Sequence, residues 1–323
     1  QALGFSVLGP LAVAFCKWLH DRRAARPAAG LYFLARDMYL MREVYGLLYP
    51  EEKTEYLQVS RRSLAPAFLA AGEYACVLAA LPRQRLTGAQ LAAYCGTVCS
   101  EGEAESVFDL KTPATKALYA FLAKLPRPET ADAVTGYPQS RPLRTGDILV
   151  DIGSGGTTQL LLEKLLGTEL HGMQLSADDR LRSRFSAART EVFLFDGAPA
   201  PRIYWAGQPL LERLLSQDVG ATLSYTKTTA GFRVNTATQP AEPLVAELQR
   251  GVLYFAQEWQ KSVLNGQTIE PQRAITPFLR LVESPTALQA KLLGDLTVED
   301  GGIYPLAAPR SVGYYLIHPA AAG

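Results

Sequence analysis

The chain has 323 residues, 48% of them hydrophobic, with Lys+Arg 32 against Asp+Glu 31 for a net charge of +1. That is enough chain for a large α/β domain with a real core, but the charge is too balanced to collect a nucleic-acid backbone, so no nucleic-acid partner is expected and any anion site must be local. Four cysteines, Cys16, Cys76, Cys95 and Cys99, include no C-x2-C pair and are too few for a disulfide scaffold, which favours a reducing cytoplasm.

The apolar run from Leu3 to Leu19 is short for a bilayer span, is interrupted by Gly9-Pro10 and has no basic residues before it. A buried helix broken at that pair is expected, and no transmembrane segment. The first residue is Gln1, from which a longer parent chain is expected. Strand-like runs then alternate with helical patterns: "GLYFLA" (30–35), a helix over 38–48, "TEYLQVS" (54–60), "DILVDIG" (147–153), a helix over 158–166, "ELHGMQLS" (169–176) and "EVFLF" (191–195). Such alternation predicts a mainly parallel sheet with crossover helices.

Between the second and third strands, an Ala- and Leu-rich stretch over about 64–125 predicts a helical insertion, followed by a Pro-rich loop over 126–145. The segment 220–236 alternates polar and apolar residues around Thr229-Ala230-Gly231, a hairpin pattern. Helices are expected over 241–264 and 275–293, the second kinked or divided at Pro285.

Ligands of open parallel sheets sit beyond the carboxyl ends of the strands. Three such positions carry chemistry: Ala35-Arg36-Asp37, Ser60-Arg61-Arg62, and the turn from Asp151 through Gly153, Ser154, Gly155, Gly156, Thr157 and Thr158. Glycines allow close backbone approach to an anion, and the two threonines offer hydroxyls at a helix N-terminus, where unpaired N–H groups favour negative charge. "DIGSGGT" resembles the S-adenosylmethionine turn of class I methyltransferases, with Thr157 at the final glycine. It also resembles the 5-phosphate loop of type I phosphoribosyltransferases, with Ile152 in place of a second acid. The turn by itself fits both. A methyltransferase would use Asp178 or Asp179 for ribose hydroxyls but has no need of basic residues on two preceding strand ends. A phosphoribosyltransferase needs them around its pyrophosphate.

A broader resemblance is carried by "GFSVLGPLAVAFCKWL", "LYFLARDMYL", "YLQVSRRSL", "DIGSGGTTQ", "LLERLLS" and "LQRGVLYFAQEW". In this order, over about residues 4–296, they resemble bacterial surface-polysaccharide proteins often fused to a haloacid-dehalogenase (HAD)-type phosphatase, a group similar to the glycan phosphoribosyltransferases. The resemblance implies a phosphoribosyltransferase-like, Rossmann-like α/β fold, taken as one domain over 1–323 with the helical insertion and an acceptor-side extension over about 197–323. It implies transfer of ribose 5-phosphate from phosphoribosyl pyrophosphate (PRPP) to a sugar hydroxyl of a glycan acceptor, with Mg²⁺ as the expected ion and a HAD-type phosphatase domain or protein as partner. The chain has no DxDx[TV] motif, so it does not itself resemble the phosphatase. The alternatives are a methyltransferase and a non-catalytic scaffold of polysaccharide assembly.

The catalytic candidates are thus Asp37, Asp151, Arg36 and Arg61, with Arg62 and the turn 153–158 binding the donor. Asp37 could cap a helix, act as general base or hold Mg²⁺; Asp151 could hold ribose hydroxyls or cap its own turn. Of Arg61 and Arg62, one is expected on the diphosphate and one in an ion pair. His20, His171 and His318 are isolated and expected to be structural. Tyr204, Trp205 and Trp259 are candidates for stacking on acceptor sugars, and Glu212 and Arg250 for bordering the acceptor cleft, against plain core or surface roles.

Overall fold

Strands buried on both faces read as continuous apolar runs, and the sequence has such runs where a parallel sheet forms. The computed structural model describes residues 1–299 and 303–306. Five strands, β1 (Leu31–Leu34), β2 (Glu55–Leu57), β3 (Ile148–Ser154), β4 (His171–Ala177) and β5 (Thr190–Val192), pair in parallel in the order β2-β1-β3-β4-β5. All four residues of β1 and all seven of β4 are buried.

Alternation along the strands divides the core in two. Leu31, Phe33, Ile148 and Val150 face one layer, made of α1 (Gly9–Arg23), α2 (Tyr39–Leu48), α5 (Arg202–Leu215), α6 (Pro243–Lys261) and α7 (Pro271–Glu283). Tyr32, Leu34 and Leu149 face the other, made of α3 (Arg61–Ala70), α4 (Thr157–Leu166) and the insertion. Strand order runs outward in both directions from the β1/β3 pair. The crevice beyond the carboxyl ends of these two strands is therefore the topological switch point, where open α/β sheets bind ligands.

Several boundaries differ from expectation. Gly9-Pro10 does not break the N-terminal helix: a π-helical turn, Gly4–Leu8, runs directly into α1, and Pro10 falls in the first α-helical turn, where its missing N–H is tolerated. The insertion contains an antiparallel ribbon, Arg85–Thr87 with Val107–Asp109, beside its short helices. The Pro-rich stretch includes a helix, Ala131–Gln139, which places Pro138 in its last turn. The last predicted strand ends at Val192 and not at Phe195, which has a left-handed φ of 57°. The hairpin forms as β6 (Thr222–Thr228) and β7 (Gly231–Thr236), and it packs on the helix Ala131–Gln139 through Tyr137, stacked on Tyr225 at 4.3 Å. Helix α7 starts at Pro271, four residues early, and Pro285 lies in the break between it and a final helix, Ala287–Leu293. Among the described residues no helix is long and apolar enough to cross a membrane.

The N-terminal segment and α6 approach too closely for side chains at their crossing. A Cβ on Gly4 would lie 1.9 Å from the Leu248 carbonyl oxygen, and one on Gly9 2.5 Å from the Phe255 ring. Gly4→Val should force the two helices apart and destabilise the fold by roughly 2–4 kcal/mol, read as a lower denaturation midpoint at unchanged slope. An unchanged midpoint would contradict this crossing.

Candidate functional site

A cavity of about 590 Å³ opens at the β1/β3 switch point. Its floor is formed by the strand ends, with Arg36 and Asp37 after β1 and Asp151 in β3; α3 supplies Arg61 and Arg62, the insertion Gln84, Arg85 and Tyr94, and α5 Glu212 and Ser216. The helix α4 contributes Thr158.

Ser60 fixes where the α3 arginines stand. Its side chain accepts from the Ser63 N–H at 3.0 Å in a capping box, and its hydroxyl donates to the Thr222 carbonyl at 2.6 Å, tying the start of α3 to β6. Arg61 and Arg62 therefore occupy the first turn, where the helix dipole disfavours cations and favours a bound anion. The expected division of labour between them is corrected in one respect. Arg62 lies over the Tyr94 ring at 5.4 Å, and among the described residues neither arginine forms an ion pair. Arg36 turns toward the loop after α5, donating to the Val219 carbonyl at 3.4 Å and to Gln239 at 3.2 Å, and its peptide bond to Ala35 is cis.

Asp37 does not cap α2, whose N-cap is Met38 without a side-chain bond. It accepts instead from the Ser216 hydroxyl at 2.8 Å, with Arg36 Nε 3.9 Å away. Asp151 is pushed up to about 7 by burial first and by Asp37 second; the Ile152 and Gly153 N–H groups and the Arg61 charge pull it down. The role of Asp151 in bonding its own turn is thus present, but it leaves the carboxyl on the cavity. Glu212 is raised to about 8 by burial and by the negative charge of Asp37, with Asp151 adding to the rise and Gln208 and Arg61 opposing it. Gln208 Nε2 donates to Glu212 Oε1 at 2.7 Å. Three carboxyl groups from three elements thus face one another, with Arg61 as the cation acting on two of them.

The structure divides the residues expected from sequence. Arg36, Asp37, Arg61, Arg62, Asp151 and Thr158 line one cavity. Of the adjoining residues expected as a turn, Gly153 and Ser154 continue β3 and pair with β4, Gly155 and Gly156 make the turn itself, and Thr157 opens α4; the glycines here have a packing reason. A Cβ on Gly153 (φ 98°) would lie 1.9 Å from the Ser176 carbonyl oxygen, and one on Gly156 (φ 62°) 2.4 Å from Leu181. Ser154 shares the left-handed conformation, at φ 76°, which is unusual without glycine. Arg184 donates to the Gly155 carbonyl and, at 2.8 Å, to the Thr157 hydroxyl, so a guanidinium already stands at this turn.

Other candidates fall elsewhere. His171 is buried at the opposite, amino end of β4 against Glu191 at 3.0 Å, and His20 stacks on Tyr49; His318 lies outside the described residues. Tyr204 is core and Trp259 stacks on Phe255, whereas Trp205 borders a second hollow of about 360 Å³ beside Asp178 and Asp179. Arg250 is on the surface with Glu247. All four cysteines are free. Asp178 caps the helix Asp179–Arg184, accepting from the Arg180 and Leu181 N–H groups, and pairs with Arg180. Among the described residues no group of three or more His, Cys, Asp or Glu is arranged to hold a metal ion.

No protein-family model and no curated protein matches this sequence.

Raised carboxyl pKa values have a defined consequence for stability. The Asp151 and Glu212 carboxyls bind protons more tightly in the native state than in the unfolded chain, so their contribution to stability is fully present below the ordinary carboxylate range and is lost as pH rises through about 7 to 8. Glu212→Gln removes one buried ionisation and should raise the urea midpoint at pH 8.5 by the equivalent of about 1–3 kcal/mol, with little difference from wild type at pH 4. A variant less stable than wild type at pH 8.5 would contradict the placement of this carboxyl.

Proposed function

We propose that the protein is a glycan phosphoribosyltransferase, transferring ribose 5-phosphate from PRPP to a sugar hydroxyl of a bacterial polysaccharide and releasing pyrophosphate. The observation that carries this reading is the pairing, within one cavity, of half-buried carboxyls at the carboxyl ends of β1 and β3 with arginines at the first turn of α3. PRPP presents matching chemistry: a polar ribose that becomes cationic as its anomeric bond breaks, joined to a highly charged leaving group.

On this reading Asp151 accepts hydrogen bonds from the ribose hydroxyls and its charge stabilises the oxocarbenium-like transition state. Arg61 and Arg62, with the α3 N-terminus, take up the charge developing on the diphosphate. Most of the catalytic effect then comes from placing acceptor and donor and from preorganised charge. The bond between the anomeric carbon and the diphosphate oxygen breaks as the acceptor oxygen attacks from the opposite face, giving a β-linked product. Mg²⁺ characteristically uses one or two carboxylates together with substrate phosphates, which Asp37 and Asp151 suit; when bound it would neutralise diphosphate charge.

The turn 153–158 with Arg184 holds the 5-phosphate. Because the phosphate survives the reaction, a separate HAD-type phosphatase would be needed to leave a bare ribofuranose. Of the two acids a methyltransferase could use for ribose hydroxyls, Asp178 is engaged in capping its helix and in pairing with Arg180, which leaves Asp179 for that role and gives the arginines of α3 no part in it.

The reading predicts that wild-type protein, PRPP and Mg²⁺ add a phosphopentose to one of a panel of short methyl glycosides, detected by mass spectrometry, and that added phosphatase converts it to a pentose. Asp151→Asn should keep the fold and slow transfer at least about 100-fold, a loss of roughly 2.7 kcal/mol of transition-state stabilisation. A methylated product with S-adenosylmethionine, or bare pentose without a phosphatase, would overturn it.

A further inference from the structure

One cavity wall comes from α5, where Gln208 and Glu212 stand one helical turn apart and Ser216, the C-cap, follows four residues after Glu212. Ser216 holds Asp37, and Gln208 holds one oxygen of Glu212. We infer that Glu212 is the general base of the reaction, the group that removes the proton from the attacking acceptor hydroxyl.

The inference rests on the phosphoribosyltransferase reading and on the placement of the cavity's charged groups. If the ribose lies on Asp151 and the diphosphate on Arg61 and the start of α3, two walls remain for an acceptor: the insertion, which lines the cavity with Gln84, Arg85 and Tyr94 and no carboxyl, and α5, whose carboxyl is Glu212. The other carboxyl near that wall, Asp37, is already accepting from Ser216 and lies beside Arg36. The charged groups that act on Glu212 are Asp37 after β1, Asp151 in β3 and Arg61 on α3. Gln208 fixes its orientation with a 2.7 Å bond to one oxygen, which leaves the other oxygen for the proton of an attacking hydroxyl.

The step balances without further reactants. As the acceptor oxygen bonds to the anomeric carbon, its proton passes to Glu212, and the electron pair of the breaking bond leaves with the diphosphate. Glu212 then returns the proton to water. Glu212 in this role is a catalytic residue, touching the nucleophile, whereas Gln208 is a positioning residue.

The test uses PRPP with Mg²⁺ and two small nucleophiles, water, which needs a base, and azide, which carries no proton to remove. Pyrophosphate release is followed in wild type and in Glu212→Gln. Wild type should hydrolyse PRPP. The variant should bind PRPP as wild type does, lose about 100-fold or more in hydrolysis, and recover turnover in azide with formation of ribosyl azide 5-phosphate. Hydrolysis by the variant at the wild-type rate would overturn the assignment, as would failure of azide to restore turnover in a variant that still binds PRPP. If wild type neither binds nor turns over PRPP, the phosphoribosyltransferase reading itself fails and takes this role with it; binding without an effect of the substitution removes only Glu212.

Discussion

Three carboxyl groups share one buried cavity, and the rest of the site is arranged around that electrostatic burden. Asp37, Asp151 and Glu212 come from a loop after β1, from the end of β3 and from α5, so no local segment of the chain could relieve their mutual repulsion by rearranging alone. Asp37 raises the proton affinity of both Asp151 and Glu212, Asp151 adds to that of Glu212, and Arg61 offsets only part of the effect. Burying like charges in this way opposes folding. Such sites persist where a ligand supplies the missing complement, and strongly shifted acids in a cleft are a physical marker of function.

The sheet order explains why the carboxyls meet. Because β1 and β3 are neighbours whose connections lead away in opposite directions, the residues following them are not covered by a crossover helix and face open space. The hairpin β6–β7 and the helix Ala131–Gln139 brace the cavity from outside through the Tyr137–Tyr225 stack, and Ser60 and Ser63 carry that bracing to the first turn of α3. The helix Ala131–Gln139 and the C-terminal half therefore act on the same structural unit that presents Arg61. A substitution in the hairpin would reach the arginines through this contact.

Much of this was legible in the sequence, for a physical reason. Strands buried on both sides must be apolar throughout, so "LYFL" and "ILV" stand out, and the first charged residues after them mark the sheet edge where Asp37 and Asp151 lie. Ser60-Arg61-Arg62 was legible as a charged strand end, but the strand stops at Leu57 and Ser60 instead caps α3 from Arg61. Glu212 was harder to place because a polar stripe facing an enclosed cavity has the same helical spacing as one facing solvent. Only the tertiary packing distinguishes them. The glycines of 153–156 were legible as a turn but not in their cause: Gly153 and Gly156 accommodate the β4 backbone and Leu181, contacts distant enough in sequence that the motif alone carries no trace of them. The helix around Pro138 was hidden because proline lacks an N–H and is disfavoured beyond the first turn of a helix, so a proline-rich stretch reads as loop.

The central claim is that this cavity is complementary to a sugar diphosphate, with arginines for the leaving group and carboxyls for the ribose. Isothermal titration calorimetry of the whole chain with PRPP and Mg²⁺, run beside S-adenosylmethionine, tests it most directly. The account predicts one PRPP site per chain, weakened at least tenfold by Arg61→Ala, and no heat of binding from S-adenosylmethionine. Binding of S-adenosylmethionine, or of neither compound, would contradict it.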